Sequence, residues 1–194
     1  MLKKIIYISD LSLPSNKAQA VHIFKLLDNF LQFSDKAILI CPNLKKKIQK
    51  GFFKKYFNLH SNKDIEIHNL FKKAYSNSFL RRLIFGLKVG IKLRNENNLI
   101  ISRSLISSFI LSLFRVKHFI EIHQEIKGLT KFLLINLNFL NSKYINKVVF
   151  ISKTLSKLFN TKNFIILHDA VDLGNFTKAN SPKYIKNIGY VGSF

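Results

Sequence analysis

The sequence predicts an α/β fold, a parallel sheet with helices on both faces. Three observations predict it. Short β-branched apolar runs alternate with stretches of helical period, the pattern of repeated βαβ units. The first apolar run is continuous rather than alternating, which suits a strand buried on both faces. The chain has 194 residues, 47% hydrophobic and 22% charged, enough for one complete domain and little more.

The first strand is expected over residues 3–9, followed by a loop over 10–17 that contains Pro14 and Ser15. Ala20, Phe24, Leu27 and Leu31 then recur at helical spacing, with Ile23, Leu26 and Phe30 widening the stripe. Asn16 is the expected N-cap, with Gln19 three residues later completing a capping box. Residues 36–41 read as the second strand, ended by Pro42. Residues 44–60 are basic and aromatic and read as an irregular crossover.

A short strand is expected over 65–68 and a helix over 79–94. That helix carries an apolar stripe at Leu80, Leu83, Ile84, Leu87 and Ile91. Its Gly86 and Gly90, four apart, read as a close packing surface. The remaining strands are expected over 99–102, 117–122, 147–151 and 164–167, and the remaining helices over 104–114, 129–140 and 153–159. A last strand over 184–191 follows a polar stretch at 177–183. The chain therefore divides into a domain over 1–178 and, over 179–194, a hinge and the first strand of an incomplete second domain.

Cys41 is the single cysteine, which excludes a disulfide framework and a cysteine-rich zinc site. The opening apolar run is too short for a signal peptide, and the longest nearly uncharged stretch, 104–114, is too short to span a bilayer. The expected location is cytoplasmic. The net charge of +22 raises nucleic acid as a partner. The lysines, however, are scattered, only Lys45, Lys46 and Lys47 form a run, and no nucleic-acid-binding signature accompanies them. The reading is no nucleic acid, with attraction to anionic lipid headgroups at the inner membrane face as an available role.

Ligands of open parallel sheets bind beyond the carboxyl ends of the strands. That rule selects Ser9 and Asp10, Cys41 and Pro42, Ser102 and Arg103, residues 121–124, Ile151 and Ser152, and His168 and Asp169. Arg103 is one of only five arginines and can hold a phosphate or carboxylate in two hydrogen bonds. His123 can hydrogen-bond a sugar hydroxyl or phosphate oxygen, and Glu121, two residues earlier, shares its face. Ser15 and Asn16 precede a helix N-terminus, where free N–H groups attract anions. His60 and His68 read as surface or structural groups. Walker, dinucleotide-fingerprint, nucleophile-elbow and zinc-protease motifs are all absent.

Five segments together resemble the family-4-type retaining glycosyltransferases of the GT-B fold. They are KKIIYISDLSLPSNKAQAVHIFKLL, IEIHQ, KVVFISKTLSKLF, ILHDAVDLGNF and IGYVGSF. The likeness covers most of the chain. It implies a Rossmann-like N-terminal domain that binds the acceptor, facing a second lobe that binds a nucleotide sugar. It implies transfer of that sugar to a glycan or lipid-linked acceptor in cell-envelope polysaccharide assembly, with no metal and no cofactor beyond the sugar nucleotide. His123 matches the family histidine near the transferred sugar, and Val171, Asp172 and Phe176 match the turn before the hinge. Gly192 and the adjacent Ser193 match the loop nearest the donor diphosphate. The family's remaining diphosphate-binding residues lie beyond Phe194, so this chain is expected to be inactive alone. A GT-B sugar-nucleotide epimerase, or a basic module binding anionic membrane or nucleic acid without chemistry, remain as alternatives.

Overall fold

The computed structural model describes residues 2–44, 51–72, 78–126, 128, 131 and 138–168. The strands are β1 (Leu2–Ile8), β2 (Ser34–Cys41), β3 (Ile65–Asn69), β4 (Leu99–Ser102), β5 (His118–Ile122), β6 (Ile145–Phe150) and β7 (Phe164–Ile166). The helices are α1 (Ala18–Phe30), α2 (Phe52–Tyr56), α3 (Phe79–Leu93), α4 (Leu105–Leu113) and α5 (Lys153–Ser156), with a 3-10 turn at Phe139–Asn141. Each strand expected within the described residues forms, with bounds shifted by no more than two residues. The expected helix over 129–140 falls mostly outside those residues, and the expected strand over 184–191 and the domain boundary fall wholly outside them.

All seven strands form one parallel sheet in the order β3-β2-β1-β4-β5-β6-β7. The chain winds outward from β1 to β3, then returns to β4 on the other side of β1. Neighbouring connections therefore diverge between β1 and β4, the position where open parallel sheets bind ligands beyond the carboxyl ends. This is a Rossmann-like α/β architecture.

The alternation of β1 divides its side chains between two layers. Ile5 and Tyr7 face α1 and α2, in a core with Ala20, Ile23, Phe24 and Leu27. Ile6 and Ile8 face Phe85, Val89 and Leu93 of α3 and Leu111 of α4. Burial on both faces accounts for the continuous apolar run. A third cluster around Ile120, Val148 and Phe150 closes the β5–β7 side.

Three local expectations are corrected. The segment over 44–60 is not wholly irregular, because 52–56 form α2. Its Phe53, together with the following Phe57, stacks on Phe24 with ring centroids 4.7 and 4.4 Å apart. Aromatic packing, rather than helical period, organises these residues.

The stripe of α3 at Leu80, Ile84, Leu87 and Ile91 does not enter the core: these residues are 64, 38, 40 and 59% exposed. The face bearing Phe85, Gly86, Val89, Gly90 and Leu93 is buried instead. The glycine pair is the reason. Cβ atoms at Gly86 and Gly90 would lie 3.1 and 2.9 Å from Ile110 of α4, so only this face allows the helices to approach so closely.

Asn16 does not cap α1. The N-cap is Lys17, with no side-chain hydrogen bond to the helix. Asn16 Oδ1 instead accepts a hydrogen bond from the Tyr56 hydroxyl. Gln19, expected to reach back to the cap, donates to Ser9 Oγ at 3.4 Å.

Candidate functional site

Register brings the strand-end groups together. Tyr7 lies beside Ile101, and Ile101 beside Phe119, in one row across β1, β4 and β5. One pleat further along stand Ser9, Arg103 and Glu121, and after them His123, all on the side facing α1. The Arg103 backbone N–H donates to the Ile8 carbonyl at 2.9 Å, which extends the β1–β4 ladder to this level.

Glu121 is the hub. Its Oε2 accepts a hydrogen bond from the Tyr7 hydroxyl at 2.5 Å and lies 3.3 Å from His123 Nε2. Burial raises the Glu121 carboxyl, but the hydrogen bonds from His123 and Tyr7 outweigh it and hold the group below the usual carboxylate range. Burial first, and the Glu121 charge second, push the Tyr7 hydroxyl well above its ordinary value of 10, so it is a fixed donor. The Arg103 guanidinium also stands against Tyr7. Its Nη1 is buried and has no hydrogen-bond partner among the described residues.

The helix layer adds His22. From the second turn of α1 its ring meets His123 edge-on, with centroids 5.0 Å apart and planes at 77°. Neither His22 nor Tyr7 was selected as a site residue from sequence. Tyr7 carried one signal, a phenol inside an otherwise aliphatic strand. His22 carried none, since its role depends on which strand end α1 covers. Together Tyr7, His22, Arg103, Glu121 and His123 form a half-buried group with one carboxylate, one guanidinium and two imidazoles.

The other selected residues are placed differently. Ser152 follows β6 by two residues, and its Oγ accepts from the Leu155 N–H at 3.1 Å as the cap of α5. Ser15 is buried in the loop before α1, with Oγ accepting from the Lys17 N–H at 3.3 Å. Asn16 is exposed and bound to Tyr56. None of these three hydrogen bonds joins the Glu121 hub. Gly192, Ser193, Val171, Asp172 and Phe176 lie outside the described residues.

Asp10, just beyond Ser9, turns toward the opposite layer, where burial raises its carboxyl despite a hydrogen bond with Ser104 and the charge of Arg82. Cys41 is buried and its thiol is pushed up to about 12, which keeps it neutral and unreactive. His60 is exposed, and its backbone N–H donates to Asp28. His68 pairs with Glu66. A cleft of about 720 Å³ opens at the other end of the sheet, among Lys117, Asn138, Ser142, Lys143 and Asn163. It holds none of the clustered groups. The Tyr7, His22, Glu121 and His123 cluster lies instead at the carboxyl ends of the strands.

No family model matches the chain, and no curated protein matches it.

Proposed function

We propose that the chain is the acceptor-side half of a two-lobed glycosyltransferase, moving a sugar from a nucleotide-sugar donor to a glycan or lipid-linked acceptor. The reading rests on one observation: Arg103, Glu121 and His123 meet, with Tyr7 and His22, at the point where the sheet order diverges. A sugar needs hydrogen-bond donors and acceptors in fixed positions, and a phosphate needs a guanidinium. The five sequence segments that resemble the family support the same reading, and three of them surround this cluster. In this role His123 accepts from or donates to a hydroxyl of the sugar, Glu121 orients the imidazole, and Arg103 faces the charged part of a substrate. The donor-binding lobe is the expected partner, because a departing diphosphate needs more positive charge than the one guanidinium at this cluster supplies.

The acceptor role is joined to a surface role. No helix among the described residues is long and apolar enough to cross a membrane. The exposed α3 stripe at Leu80, Ile84, Leu87 and Ile91 is flanked by exposed Arg81, Lys88, Lys92 and Arg94, and α3 contains no acidic residue. An apolar stripe with a basic border fits the headgroup region of an anionic membrane, where a lipid-linked acceptor would be presented.

Saturation-transfer NMR of the chain with soluble glycans and short-chain lipid-linked glycan analogues tests the sugar reading. Transfer to the glycan that is lost in His123→Ala and Arg103→Ala, while His60→Ala retains it, is expected. Absence of saturable binding across the panel, or binding indifferent to both substitutions, overturns it.

A further inference from the structure

We propose that His22, Glu121 and His123 form a binding site for a divalent transition metal of the zinc class. This goes beyond the sugar-transfer reading and does not depend on it. One imidazole nitrogen from each histidine and one Glu121 oxygen all lie within 4.8 Å of one another. A tetrahedral zinc with bonds of about 2.0–2.1 Å sets its ligand atoms about 3.3–3.4 Å apart. The pair His123 Nε2 and Glu121 Oε2 already stands at 3.3 Å. The His22 ring sits edge-on to His123 with centroids 5.0 Å apart, and one of its nitrogens lies within 4.8 Å of the other two ligand atoms, so binding draws these atoms closer.

Two imidazoles and one carboxylate are a donor set that suits zinc, iron, cobalt and nickel and leaves an open position for an exogenous ligand. The surroundings provide what such a set needs. β5 fixes Glu121 and His123 on one face, and α1 brings His22 from the opposing layer. Tyr7, wholly buried, donates to Glu121 Oε2 and orients the carboxylate, as hydrogen bonds to ligating carboxylates do in metal sites. Arg103, across Tyr7, opposes a second positive charge. An anionic ligand in the open position, a phosphate or carboxylate, would bridge metal and guanidinium and balance both. Cys41 of β2, Glu66 and His68 of β3, and His118 at the foot of β5 also carry metal-binding atoms but do not join the cluster.

Zinc titration of the chain by calorimetry, without any nucleotide sugar, is the test. One equivalent is expected to bind, with His22→Ala and His123→Ala each weakening binding by at least about tenfold and Tyr7→Phe by about tenfold. His60→Ala should leave binding unchanged. In the unaltered chain, zinc should also shield His22 and His123, but not His60, from histidine acylation read by peptide mass spectrometry. That arm stands if a variant fails to fold. Absence of saturable zinc binding, binding that survives both histidine substitutions, or shielding confined to other histidines overturns the proposal. Each of these results leaves the glycan-binding experiment untouched, so the two readings fail separately.

Discussion

His118, at the foot of β5, shows how one buried residue sets a pH response. It has no exposed surface, and an Nδ1–H faces the Val116 carbonyl at 3.0 Å. Burial lowers its pKa from 6.5 to about 4. The unfolded chain therefore takes up a proton that the folded chain refuses. Stability attributable to this residue is complete above about pH 6.5 and is lost as pH falls from there toward 4, by about 3 kcal/mol in total. Urea unfolding at pH 7 and pH 4.5 checks it: His118→Asn should show a shallower decline than the parent, and an equal decline in both contradicts the assignment. Glu121, held low by His123 and Tyr7, adds its own loss only at more acid pH, as the carboxylate itself protonates. At this scale the sequence was partly legible. Arg103, Glu121 and His123 could be found because strand ends can be found. His22 could not, because its neighbour His123 is 101 positions away and only the packing of α1 over β5 joins them.

The helix α3 carries the lesson at the next scale. Its sequence bears two apolar faces, one at Leu80, Ile84, Leu87 and Ile91 and one at Phe85, Val89 and Leu93. Periodicity cannot choose between them, and the exposed face has the longer run of large aliphatic residues. The choice is made by Gly86 and Gly90, whose missing Cβ atoms let Ile110 and Phe114 of the α4 region approach. Gly90→Leu should push α3 from α4 and destabilise the fold by about 1–3 kcal/mol or more, since overpacking a tight contact forces backbone shifts. Ile91→Ser on the exposed face should change stability by less than about 0.5 kcal/mol. Thermal or urea unfolding of both variants decides it, and equal costs would contradict the packing. The short helix α2 was illegible for a different reason. Five residues are too few to show a period, and stacking of Phe53 and Phe57 on Phe24 holds the turn.

At the scale of the whole molecule, the parallel sheet was legible from the alternation of strand and helix, and its handed connections follow from the βαβ rule. The strand order was not, because pairing is set by packing among elements far apart in the chain. That order sets the divergence point between β1 and β4 and also leaves α3 on an outer face with its basic border. Co-sedimentation with vesicles examines that face. The chain should bind vesicles rich in anionic lipid, release them as salt rises, and bind neutral vesicles weakly, because each basic residue near the surface contributes about 1 kcal/mol. Ile84→Glu with Ile91→Glu should abolish the binding. Equal partition to neutral vesicles contradicts it, as does a double variant that switches a dimer to a monomer in light scattering, which would assign the stripe to a second copy.

Under the proposed function, substrate enters between β1 and β4 and meets the Glu121 hub. Histidine-ring NMR, with a glycan acceptor titrated into the chain, tests this most directly. Shifts in the imidazole signals of His22 and His123 are expected, with His60 and His118 unmoved. Shifts confined to His118, at the amino end of the sheet beside the Asn- and Lys-lined cleft, or no shift in any ring at saturating glycan, would contradict it.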